Sequence, residues 1–201
     1  MKINLTFLAY AILFSLIISL SIAIQAFSSE SSVQQKIAGE LIRFHVHANS
    51  DSLQDQELKY QVKNAVLTQM RPKLYNGSNI NESRNIIYKS LKEIQKNAQN
   101  IISSYGKDYK ADVSLTFVYF PRISYGYMTL PPGYYEAVQI TIGEGTGQNW
   151  WCVMFPMLCF VEGIAAPSTE LEDLLYEVLT EEEYQEIFNV RFRTADWLLD
   201  N

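Results

Sequence analysis

Residues 143–160 read GEGTGQNWWCVMFPMLCF. This stretch holds both cysteines, three of the nine glycines and two of the three tryptophans. Cys152 and Cys159 lie seven positions apart, about 23 Å in a straight strand at 3.3 Å per residue. A disulfide needs Cα atoms about 4.4–6.8 Å apart. A bridge therefore requires the chain to reverse near Pro156, where a central strand stops in any case. The stretch reads as a buried apolar strand that turns sharply. Trp150 and Trp151, adjacent in that strand, point to opposite faces, one to core and the other outward.

Whether the cysteines pair depends on the compartment, which the opposite end of the chain addresses. Residues 3–27 are nearly all apolar, and Lys2 is the only charged side chain before Glu30. The run exceeds a usual signal core and is long enough to span a bilayer. Ala26-Phe27-Ser28 fits a small-x-small cleavage site. Residues 1–27 are thus expected to be a signal peptide or membrane anchor. Export favours a Cys152–Cys159 disulfide; the alternative is two buried free thiols.

Residues 28–38, rich in serine, read as a linker, and 39–201 as a single extracytoplasmic domain. Residues 41–48 (LIRFHVHA) alternate as a strand, with Ile42, Phe44, Val46 and Ala48 on the core face. Asn49-Ser50-Asp51-Ser52 supplies capping residues. A helix follows to about Met70, closed by Pro72. A second starts near Asn81 and ends at Gly106, its apolar stripe running through Ile87, Ile94, Ala98 and Ile102. Residues 111–120 and 134–142 alternate as strands, with tyrosine-rich 123–130 between them. An acidic helical stretch spans about 169–187 and restarts after Thr180. A short strand at 190–192 and a helical turn at 195–201 close the chain. The expected class is α+β: an antiparallel or mixed sheet with two long helices packed on one face.

The net charge of −6 argues against a nucleic-acid partner. Thirteen of the sixteen basic residues fall between Lys36 and Arg122; none falls in 123–190, which holds eleven acidic ones. His45 and His47, the only histidines, share a strand face at a spacing seen in zinc sites, and Asp51 could add a carboxylate. With Glu144 as a further acid, these residues define a cell-envelope hydrolase alternative, zinc-dependent or not. No third metal ligand is identifiable. GEGTG has the wrong last spacing for a dinucleotide loop and reads as a turn that needs positive φ. There is no G-x-S-x-G. No cofactor and no small-molecule substrate are expected. Tyr125 and Tyr127 sit among tyrosines clustered at turns. Such residues anchor protein interfaces or fill the core and rim of a sheet.

The run IRFHVHANSDSLQDQELKYQVKNAVL, 42–67, followed far downstream by 143–160, resembles stage II sporulation protein R of endospore-forming Firmicutes. The resemblance extends from the leader to the terminal VRFRTADWLL. Two positions depart from it: His47, where an apolar or variable residue is expected, and Met157, where the family often carries a second proline. It implies a protein made in the forespore and exported to the space between the two sporulation membranes. There it would activate a membrane-embedded aspartic protease of the mother cell, which processes pro-sigma E. It implies no catalytic site. Tyr125, Tyr127, Glu144, Trp150 and Trp151 are the expected partner contacts, on the loops at 121–135 and 143–151.

Overall fold

The computed structural model describes residues 5–75, 77–125, 128–160 and 169–188. Strand β1 (Ile42–His47) is the hub. Helices α2 (Leu53–Leu74) and α3 (Ile80–Ser104) follow it, then strand β2 (Ala111–Phe120). A short hairpin of β3 (Ile123–Tyr125) and β4 (Met128–Leu130) leads to β5 (Gly133–Ile142) and β6 (Asn149–Phe155). The sheet order is β2-β5-β1-β6. β1 runs parallel to β5 and antiparallel to β6, and β2 is antiparallel to β5. The sheet is therefore mixed, and β5 and β6 are not neighbours despite their short connection. β1 lies between them.

Both faces of β1 are buried. On one, Ile42, Phe44 and Val46 join Leu58, Val62, Val66 and Met70 of α2 and Ile87, Ile94, Ala98 and Ile102 of α3. This is the helix-covered face expected from the alternation. The other face is a second core, not solvent. Ile37, Leu41, Phe120, Met128, Leu130, Tyr135, Val153 and Leu158 fill it, with Leu175, Leu179 and Ile187 from the acidic helical stretch. Each fully buried apolar side chain contributes about 1.5–3 kcal/mol, so this second layer matters as much as the first.

The helix boundaries have local causes. Ser52 caps α2 by accepting the Asp55 N–H (3.2 Å). Asn79 caps α3 by accepting from Asn81 and Glu82 N–H (both 3.0 Å). Pro72 does not end α2, which runs on to Leu74. Proline costs this turn one backbone hydrogen bond, and burial of Leu74 holds the turn in place. Gly106, at φ 68°, follows α3 as expected. Helix α4 (Thr169–Tyr176) stops before Thr180, where a reciprocal cap restarts a helix over 181–188. Thr180 N–H donates to Glu183 Oε2 (2.9 Å) and Glu183 N–H to Thr180 Oγ1 (3.4 Å). The strand expected at 190–192 and the turn at 195–201 lie outside the described residues.

The expected linker, 28–38, is instead helical, within α1 (Leu5–Glu40). Val33 and Ile37, four apart, reach the second core, and Gln34 Nε2 donates to Tyr134 O (3.2 Å). Serine content read as a linker, but Val33, Gln34 and Ile37 pack this helix onto the domain. Ile12, Leu13, Phe14, Leu16, Ile17, Ile18 and Leu20 of α1 are exposed. Among the described residues, no helix is long and apolar enough to cross a membrane.

Candidate functional site

The two sequence runs that carry the resemblance meet at one end of β1. After His47 the chain turns through Ala48-Asn49-Ser50-Asp51, and the glycine loop 143–147 closes onto that turn. Gly147 N–H donates to Ala48 O (3.0 Å), and Thr146 donates to Asn49 O from both N–H (3.3 Å) and Oγ1 (2.8 Å). Asn49 Oδ1 accepts the Glu144 N–H (3.0 Å), and Asp51 Oδ1 accepts the Gln148 N–H (2.7 Å). Lys59 Nζ reaches across from α2 to Gln148 O (3.0 Å). The glycines are needed for this closeness. A Cβ on Gly147 would sit 2.2 Å from Ser50 O, and one on Gly143, at φ +58°, would sit 2.2 Å from Asn49 Oδ1.

Asp55 anchors the clasp from beneath. It is 3 % exposed and accepts from Asn49 Nδ2 (2.9 Å) and Ser50 Oγ (2.6 Å), with Lys107 Nζ 3.9 Å away. Burial pushes its carboxyl pKa up. The hydrogen bonds from Asn49 and Ser50 and the Lys107 charge outweigh burial and hold it below the ordinary value. Asp51 is thus engaged by the glycine loop's Gln148 and Asp55 by the 49–50 turn.

Behind the clasp, on the second face of β1, lies a buried polar and aromatic cluster. Arg43 is fully buried. Its guanidinium lies over Phe120 (3.9 Å to the centroid) and near Tyr135 (4.9 Å). Nη2 donates to the Tyr125 hydroxyl and Nε to Cys152 O (3.4 Å). Burial, only partly offset by Arg43, raises the Tyr125 pKa. His45 stacks on Trp151 (centroids 3.6 Å, 17° between planes) and contacts His47 (3.8 Å). Burial first, then His47, lower its pKa to about 3. His45 is therefore neutral near pH 7 and a poor general base there. His47, half-buried, has a lowered pKa through burial as well.

The sequence-predicted residues are distributed as follows. His45 and His47 come together, but Asp51 is turned to the glycine loop, and no group of three His, Cys, Asp or Glu among the described residues could hold a metal ion. Trp150 and Trp151 do face opposite ways. Trp150 packs edge-on against Phe44 (5.6 Å) under Lys63 (4.9 Å), and Trp151 meets Phe120 (4.7 Å) in the second core. Both tryptophans are half-buried, and Tyr125 is tied to Arg43. Glu144 is exposed on the loop, and Tyr127 lies outside the described residues. Cys152 and Cys159 are free thiols, brought side by side by the expected reversal at Pro156 and a 3-10 turn at Leu158–Phe160.

Sequence reasoning missed Arg43, Asn49 and Lys59. Arg43 occupies the face assumed to be solvated, and nothing local marks it as buried.

Three of the exposed large aromatics, Phe117 (68 %), Tyr119 (54 %) and Tyr134 (65 %), cluster elsewhere. They flank a groove of about 780 Å³ between the end of the β2–β5 pair and the last turns of α1, where Gln34, Gln35, Ala38 and Gly39 form the wall. Arg84 and Glu136, paired at 2.8 Å, lie in its floor. Among the described residues β2 is an edge strand, with no strand partner on its outer side.

No solved structure matches the chain. The stage II sporulation protein R of Bacillus subtilis (strain 168) is 33% identical over 184 residues, covering 82% of this chain and 82% of that protein. The model of the stage II sporulation protein R family matches residues 38–165, which take in β1, the clasp, the glycine loop and both cysteines. The chain belongs to the stage II sporulation protein R family.

Proposed function

We propose that this protein is an exported signal of sporulation. It passes into the space between the two sporulation membranes and activates a membrane-embedded aspartic protease of the mother cell, leading to processing of pro-sigma E. The observation that carries the reading is membership of a sporulation-protein family by a chain whose buried polar groups serve structure. Asp51 holds the glycine loop and Asp55 the turn it closes on, Arg43 sits among aromatic rings, and His45 is neutral in the core. The apolar run before Glu30 supports export.

The aromatic groove is the partner surface in this reading, in place of the 143–151 loop and Tyr125. Its wall is α1, the same helix that carries the apolar leader residues. A groove on the exported part of the chain is open to the space into which an embedded mother-cell protease presents its outer portion. The occupant is an extended segment of that portion, laid along β2 with a side chain among Phe117, Tyr119 and Tyr134.

The test is to change Phe117, Tyr119 and Tyr134 to Thr, singly and together, in sporulating cells and follow pro-sigma E processing. Single changes are expected to slow it, and the triple variant to abolish it with secreted protein at normal abundance. Normal processing by the triple variant removes this surface. Normal processing in cells lacking the whole chain removes the function.

A further inference from the structure

Cys152 and Cys159 flank the cis Phe155–Pro156 bond, and their side chains converge on one acceptor. The Cys159 thiol donates to Val153 O (2.8 Å), and the Cys152 sulfur lies 3.8 Å from the same oxygen. Cys152 is 1 % exposed. Cys159 is half-buried as a residue, but its sulfur is turned inward onto that carbonyl. The thiols are therefore neighbours, and the fold that makes them so also screens them from solvent.

We propose that Cys152 and Cys159 form a disulfide during folding and not after it, because the closed helix-covered core, against which Cys159 packs and where Cys152 lies opposite Phe44, shuts out the oxidant. The oxidant is a small-molecule disulfide such as oxidised glutathione. One cysteine thiolate attacks it, giving a mixed disulfide and one glutathione thiolate. The second cysteine thiolate then attacks the protein sulfur of that intermediate and expels the second glutathione. Two protein thiols and one oxidised glutathione become one protein disulfide and two reduced glutathiones, which carry the two thiol protons.

Both steps favour the open chain. The thiolate is the attacking species. In the folded protein, burial and the adjacent Cys152 raise the Cys159 pKa well above its ordinary value. The tripeptide must also reach a sulfur beneath the sheet. In the open chain the thiols are exposed, and an eight-residue loop closes quickly, in about 10–100 ns for loops of such size. The bridge would then fix the end of β6 to the 158–160 turn. Cys152 supplies the carbonyl that receives Arg43 Nε, so the staple steadies the wall of the Arg43 cluster.

This inference draws on the export reading for its oxidising setting, but its test does not. The full chain, held in mild detergent, is unfolded and reduced, then refolded in two ways. In one, oxidised glutathione is present throughout. In the other it is added after refolding under reducing conditions and removal of the reductant. Free thiols are counted by alkylation after denaturation, and adducts by intact mass.

The expected result is a bridged chain, two hydrogens lighter with no alkylation, from the first route. The second route is expected to oxidise at least about tenfold more slowly. Equal rates by both routes overturn the proposed order. Two alkylated thiols, or a persistent glutathione adduct, from the first route overturn the pairing itself. Neither failure bears on protease activation, which the groove substitutions report separately.

Discussion

The guanidinium of Arg43 lies 3.9 Å above the ring of Phe120, and among the described residues it has no carboxylate within ion-pair distance. Taking such a charge out of water costs several kcal/mol. Contacts with aromatic faces return about 2 kcal/mol or more when desolvated, and the Tyr125 hydroxyl and Cys152 carbonyl supply further acceptors. Nη1 has no partner. The cluster joins β1, the end of β2 and the β3–β4 hairpin, so it organises the second face.

Loss of the Tyr125 hydroxyl is therefore expected to be expensive for a single atom. Tyr125→Phe leaves a second buried nitrogen unsatisfied and should cost about 1.5–3 kcal/mol. Arg43→Met, which keeps volume and removes the charge, should cost less than Arg43→Ala. Denaturant unfolding of the three variants checks the order. An Arg43→Met variant as unstable as Arg43→Ala would show that loss of the guanidinium's contacts, not packing volume, dominates.

The glycine loop makes a different demand. Gly147→Ala places its Cβ against backbone, Ser50 O, which cannot rotate aside. It should cost at least about 1–3 kcal/mol and loosen the 48–52 turn. Gly39→Ala is the control. It lies inside α1 with nothing within 4 Å of its Cβ, and should stabilise by up to about 1 kcal/mol. Thermal unfolding of the pair separates a steric requirement from a general preference for glycine.

Acid should destabilise the domain beginning well above the carboxylate range. The His45 pKa is lowered to about 3, so the unfolded chain takes up a proton that the folded one refuses. Its contribution is fully present above the ordinary value, 6.5, and is lost as pH falls from there to about 3. The slope is at most about 1.4 kcal/mol per pH unit for one group. His47 adds in the same direction, and Asp55, also lowered, adds below its ordinary 3.8. Unfolding free energies across this range should flatten in His45→Leu. An unchanged slope in that variant would assign the acid sensitivity elsewhere.

Zinc should have no effect on stability near neutral pH. The His45 and His47 rings face each other at 3.8 Å, yet His45 is sandwiched with Trp151 and Asp51 is engaged by Gln148 N–H. Titrating the purified protein with zinc and following thermal unfolding checks this. A stoichiometric rise in Tm, abolished by His47→Ala, would revive the hydrolase alternative.

By itself, the sequence was enough for whatever depends on neighbours along the chain. Alternation at 41–48, 111–120 and 134–142 marked the strands observed at 42–47, 111–120 and 133–142, because side chains two apart share a strand face. Ser52, Thr180 and Gly106 marked helix ends, because the orphan groups there are met by adjacent residues. The sharp reversal at Pro156 followed from the same local logic. Tertiary structure alone decided which strands met. The parallel pairing of β1 with β5 spans about ninety residues and leaves no periodic trace in either strand. It inserts β1 between β5 and β6, drives the glycine loop onto Asn49, and puts a second core over Arg43 and His45. A charged side chain on an alternating strand is ordinarily the wet one, and only the layer arriving from α1, the β3–β4 hairpin and the acidic helices made it dry. That same layer turned Tyr125 and Trp151 inward and left Phe117, Tyr119 and Tyr134 exposed. Burial is a property of what lands on a face, and the residues on that face do not record it.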